Sequence, residues 1–145
     1  LAGYYLPMGD IAEMLEPAFG GGLLVTTKFS RRWHFGLGAE INRSKIDPDY
    51  SVGTLWLCPI ELSAGYHFVL PGEFAGVIPF IGAGKQLTRI DQQNRERQNF
   101  ADLFFSCGIR IPTYSFPGVL IFAEWRYLPA ELSTSFAIFG AGVYF

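Results

Sequence analysis

No stretch of this chain approaches the ~18 consecutive apolar residues that a membrane-spanning helix needs. Charges, prolines and glycines break every apolar run. Charge itself is scarce: 17% of the 145 residues, for a net charge of −2. That balance leaves no electrostatic footprint for nucleic acid. Cysteine is nearly absent. Cys58 and Cys107 lie far apart and lack the spacing of metal ligands, so no metal or other cofactor is expected. The chain opens at Leu1 without the charged and apolar regions of a signal peptide. An exported protein is expected to have had one cleaved. Internal repeats and low-complexity linkers are lacking too, so residues 1–145 are read as a single domain.

What the chain has in abundance is apolar and aromatic surface. Half of it is hydrophobic and 17% is aromatic, with 14 Phe and 7 Tyr. A chain this greasy without a helical span has one other way to satisfy its backbone in lipid, a closed β-barrel.

The patterning agrees, because its period is two. From Trp33 to Asn42, Trp33, Phe35, Leu37, Ala39 and Ile41 fall on one face, and His34, Gly36, Gly38, Glu40 and Asn42 on the other. Ile60 to Leu70 repeats the alternation, with Glu61, Ser63, Gly65 and His67 on the polar side. So do Leu103 to Ile111, Ile121 to Tyr127, and Phe139 to Phe145. Turn residues divide the runs. They predict eight strands near 2–8, 19–29, 33–43, 55–70, 77–89, 100–113, 119–128 and 135–145. The connections Asp10–Pro17, Ser44–Thr54, Asp91–Gln98 and Pro129–Thr134 are polar or charged and mostly long; the alternate ones are shorter. The predicted fold is all-β: a closed, antiparallel, up-and-down transmembrane barrel with long loops outside and both termini periplasmic.

Volume decides which face looks inward. An eight-stranded barrel has room inside only for side chains. The face carrying Trp, Phe, Tyr, Leu and Ile is therefore assigned to lipid, and the face of Gly, Ser and scattered charge to the lumen. A soluble lipocalin-like barrel would reverse this, and would usually carry Gly-x-Trp on its first strand, which is missing here. Phe29, Trp33, Phe68, Phe116 and Phe145 are expected near one membrane interface. Tyr4, Trp56, Phe100, Trp125 and Tyr127 are expected near the other.

Gly3-Tyr4-Tyr5-Leu6-Pro7, Pro79-Phe80-Ile81-Gly82-Ala83-Gly84 and Phe139-Gly140-Ala141-Gly142-Val143-Tyr144-Phe145 make the whole chain resemble the OmpA/OmpX/OmpW-type small outer-membrane barrels. The resemblance implies a Gram-negative outer membrane, with its lipids and lipopolysaccharide as surroundings. It also implies an assembly signal in Phe139, Ala141, Val143 and Phe145, read by the barrel-assembly machinery. Ala141 stands where that signal often has Gly, and Phe139 where it is often polar.

The lumen face is expected to hold a charge network of Lys28, Glu40, Glu61, His67, Arg110, Glu124 and Arg126, since buried charges must be paired. Across the turn at 114–118, Arg110 is expected to face Glu124. Catalysis is not expected. Lipid deacylases of this barrel size pair a His with a Ser two residues on, whereas His34 is followed by Gly36 and His67 by Val69. The expected role is structural, anchoring or protein-interacting, alone or as an accessory subunit of a larger outer-membrane assembly with other outer-membrane proteins. A narrow channel or carrier for small or apolar solutes is the alternative, and a lipid-modifying enzyme a third. Cys58 and Cys107 are placed on the lipid face of non-neighbouring strands, too far apart for a disulfide. Lys85, on the lipid face, requires snorkelling or a bulge. Gly20-Gly21-Gly22 marks a bend or the close approach of another chain.

Overall fold

The structure is a computed structural model, describing residues 1–9, 12–46, 53–69, 76–92, 98–113, 118–129 and 134–143. Eight strands follow one another: β1 (Ala2–Gly9), β2 (Ala18–Lys28), β3 (Trp33–Ile46), β4 (Gly53–Tyr66), β5 (Ile78–Gln92), β6 (Gln98–Pro112), β7 (Val119–Leu128) and β8 (Thr134–Val143). Each pairs antiparallel with the next. β1 closes on β8 from Ala2↔Ala141 to Gly9↔Thr134, giving a closed eight-stranded barrel. Closure leaves no sheet edge of the kind that invites aggregation.

The period-two pattern sets the two surfaces. On β3, Trp33, Phe35, Leu37 and Ile41 are exposed, while Gly36, Gly38, Asn42 and Ser44 are buried. On β4, Ile60 and Leu62 face out between buried Pro59, Glu61 and Ser63. The barrel thus turns its bulky apolar residues outward: Leu23 and Phe19 are each 78% exposed, Ile81 70%, and the polar Arg126 only 1%. This is the inversion expected of a barrel solvated by acyl chains.

Three expectations change. Three strands on one side of the barrel run further into polar sequence than predicted. β3 continues through Arg43, Ser44 and Lys45 to Ile46, β5 continues to Gln92, and β6 begins at Gln98. Unbroken cross-strand pairing, such as Lys45↔Thr54↔Asp91, holds these ends extended although they carry charge. The connections at that end shrink accordingly, and the contrast between long loops and short turns is weaker than predicted. β4, conversely, ends at Tyr66, with only the isolated bridge Phe68↔Val77 beyond it. Finally, the lumen is not merely small and polar. Tyr5, Leu55, Leu57, Phe104, Phe122, Leu128, Phe136 and Ile138 form a buried cluster inside it. Large side chains on some strands fill the space that glycines leave on others.

The glycine run is closely approached by side chains of the same barrel. A Cβ on Gly20 would strike the Asn42 Cβ at 2.6 Å and the Tyr5 ring at 2.7 Å, and one on Gly22 would meet Glu40 Cγ at 2.6 Å. Bare backbone here lets Tyr5 lie across β2 toward Glu40. Lys85 needs no bulge: the registers of β5 with β4 and with β6 run unbroken past it, so it points outward.

Candidate functional site

The lumen site is built by parity. Even-numbered residues of β3, β5, β6 and β7 and odd-numbered residues of β1 and β4 point inward. That convergence brings Glu40, Glu61, Arg110, Glu124 and Arg126 into one cluster.

Arg126 is its centre. Its Nη2 donates to Glu124 Oε1 at 2.6 Å and its Nε to the same oxygen at 2.9 Å. Nη1 and Nη2 reach Glu40 Oε2 at 3.2 and 3.3 Å, and Nη2 lies 3.8 Å from Glu61 Oε2. The Phe104 ring lies beneath the guanidinium, 4.8 Å from centroid to Cζ. The Tyr5 hydroxyl donates to Glu40 at 2.6 Å and the Ser106 hydroxyl to Glu61 at 2.9 Å. Arg110 forms the second focus. Its Nη2 is 3.6 Å from Glu61 Oε1 and donates to Ser63 Oγ at 3.2 Å, while Phe80 stacks on its guanidinium at 3.8 Å. Three carboxylates thus share two guanidiniums. In a low-dielectric lumen each charge needs such partners, because a lone buried ion is costly.

Gly82 makes the junction between the two foci possible. It lies in register between Ser63 and Ser106. A Cβ there would collide with the Ser106 hydroxyl and stand 2.9 Å from the Glu61 carboxyl. The network cross-links β1, β3, β4, β6 and β7 through side chains that are far apart in sequence.

The expected pairing of Arg110 with Glu124 does not form. Arg110 faces Phe122, and Glu124 faces Gly108. Glu124 takes the guanidinium two residues along its own strand and face, whereas Arg110 reaches across Gly82 to β4. Lys28 and His67 lie elsewhere. Lys28 is exposed at the end of β2, opposite His34. His67 follows β4 and sets its ring edge-on to His34, 5.7 Å between centroids. Both belong to the mouth at the turn end, where the strands carry them. Tyr5, Ser63, Ser106, Phe80 and Phe104 were missed as network members. For each, the signal was inward parity on a strand whose neighbours carry inward charge.

Of the assembly-signal residues, Phe139, Ala141 and Val143 are exposed on the outward face of β8; Phe145 lies outside the described residues. The cysteines are free, and both are on the outward face. Of the expected interface aromatics, Phe29, Trp33 and Phe68 are exposed, while Phe116 falls outside the described residues. At the loop end, Tyr4 packs on Phe19, and Trp125 stacks on Tyr127.

No family model and no curated protein matches this sequence. Solved structures do. Ail, the attachment invasion locus protein of Yersinia pestis, superposes with a TM-score of 0.62 at 14% identity, covering 98% of this chain and 93% of its own. Neisserial surface protein A gives 0.61 at 17%, covering 99% and 93%. The N-terminal β-barrel domain of Pseudomonas aeruginosa OprF gives 0.56 at 17%, covering 98% and 93%. At these identities the likeness is one of fold: like these outer-membrane proteins, the chain forms a closed eight-stranded antiparallel barrel.

Proposed function

We propose that this outer-membrane-type barrel is a plugged membrane anchor, a scaffold that presents its loops and outer wall rather than a pore or an enzyme. The observation that carries this reading is the Arg126 cluster. A guanidinium only 1% exposed, stacked on a Phe104 that is fully buried, occupies the lumen together with three carboxylates. A barrel of this strand number has little space beyond its side chains. The fold likeness to an attachment protein and to a neisserial surface protein supports a role at the cell surface. A non-catalytic role is supported by the placement of His34 and His67, which pack on each other at the turn-end mouth. Insertion by the barrel-assembly machinery is supported by the outward apolar alternation of β8.

The test is reconstitution of the folded barrel in planar bilayers. Stable channels are not expected. Frequent openings whose size changes with Arg126→Ala or Glu61→Ala would instead establish a solute path through the network.

A further inference from the structure

Among the described strand residues, four cations point outward: Arg43, Lys45, Lys85 and Arg89. All four lie on β3 and β5, on either side of β4. The register places Arg43 opposite Trp56 and Trp56 opposite Arg89, so the two arginines flank one indole. At ~4.8 Å between strands, their backbones stand about 10 Å apart. The Arg43 guanidinium lies over the Trp56 ring, 5.4 Å from its centroid. Arg89 is held by Asp91 at 3.0 Å with its side chain 43% exposed. Asp91 is the one carboxylate turned outward among these strands, so the patch keeps a surplus of positive charge.

Trp56 also divides two apolar grooves on the outer wall. One, of about 600 Å³, runs between Ile41, Trp56, Cys58, Leu87 and Ala101 and reaches Arg89. The other, of about 310 Å³, runs between Phe19, Gly21, Ile41 and Trp56 and ends at Arg43. Four residues deeper along β5, about 13 Å at ~3.3 Å per residue, Lys85 stands between Ile60 and Leu103 in the apolar belt. A cation at that depth is costly unless its stem carries it toward the interface or an anion meets it.

We propose that this face of β3, β4 and β5 docks one lipid of the surrounding leaflet, whose headgroup carries two phosphates and whose acyl chains lie on both sides of Trp56. A phospholipid with one phosphate and two chains would engage one arginine and one groove. Two arginines on backbones about 10 Å apart, each at its own groove, match a wider, doubly phosphorylated and multiply acylated headgroup. Guanidiniums suit phosphate because they offer paired donors. Trp56 sets the depth, as aromatic residues do at headgroup level. The proposal rests on the reading of this chain as an outer-membrane barrel.

The experiment is native mass spectrometry of the folded full chain in mild detergent, titrated with doubly phosphorylated lipid A, its singly phosphorylated form, or phosphatidylglycerol. One copy of the doubly phosphorylated lipid should be retained in preference to the other two. The Arg43→Ala/Lys85→Ala/Arg89→Ala variant should bind it about a hundredfold more weakly, at roughly fivefold for each basic residue beside an anionic lipid. Lys28→Ala, exposed at the opposite end, should bind as the wild type does. Equal binding by the triple variant, or equal retention of all three lipids by the wild type, overturns the proposal. Should the triple variant fail to fold, the wild-type comparison of one phosphate against two decides alone. Failure of the underlying reading would show separately, as a chain that never inserts into phosphatidylcholine vesicles as a heat-modifiable barrel.

Discussion

Arg126 and Glu124 occupy the same inward face of β7, two residues apart, and are bonded at 2.6 Å with hardly any solvent contact. Neither is a partner the other would choose in an exposed strand, where side chains at this spacing stand parallel in water. Inside the barrel they are the nearest opposite charges available. Glu40 and Glu61 then close around the same guanidinium from β3 and β4.

Removing Arg126 should be the most damaging single change in the lumen, because Arg126→Met takes the cation from Glu40 and Glu124 and leaves Glu61 to Arg110 alone. The expected loss is at the upper end of the ~3–5 kcal/mol typical of a broken buried pair, read from urea unfolding in lipid vesicles. In a double-mutant cycle, Arg126 and Glu124 should be strongly non-additive, whereas Arg110 and Glu124, which meet only through Glu61 and Arg126, should couple more weakly. A coupling for the second pair as large as for the first would contradict the register of β6 with β7.

Gly82→Val should destabilise the barrel by about 1–3 kcal/mol, the usual range for overpacking a filled interior. The added side chain would displace the Ser106 hydroxyl and the Glu61 carboxylate from their contact. Unfolding midpoints unchanged from the wild type would show that the lumen has slack at this junction.

In a Cys58→Ser variant, Cys107 reports the polarity of the outer wall. It faces outward between Ile81 and Trp125. In the folded, bilayer-inserted protein it should resist a charged maleimide, accept a lipid-soluble one, and become reactive to both in urea. Fast labelling by the charged reagent in the folded state would place that wall in water.

Deleting Phe145 should lower the amount of heat-modifiable barrel recovered from cells, since it would end the apolar alternation that Phe139, Ala141 and Val143 carry on β8. Undiminished levels of folded protein would remove the assembly role from this terminus.

Much of the architecture was legible because a strand writes its two environments into alternate residues. Trp33–Asn42 and Ile60–His67 announced strands and their faces alike, and the strand count follows from the turns between such runs. Strand ends were less legible. Arg43, Lys45 and Arg89 look like loop residues by composition, yet hydrogen bonding to neighbouring strands keeps them in β3 and β5. The alternation also placed Glu40, Glu61, Arg110, Glu124 and Arg126 in the lumen, without saying which would meet.

By itself, then, the sequence determined the barrel, its inverted polarity and, Lys28 and His67 apart, the charges that turn inward, because each depends only on local period and on bulk volume. The tertiary structure alone decided that Arg126 would gather Glu40, Glu61 and Glu124, that Gly20 and Gly82 would be the gaps through which Tyr5 and Arg110 reach their partners, and that Arg43, Trp56 and Arg89 would line up on the outer wall. Those relationships depend on the register between strands and on the circumference of the closed barrel. Both arise from hydrogen bonding and packing summed over the eight strands, and no single strand carries them.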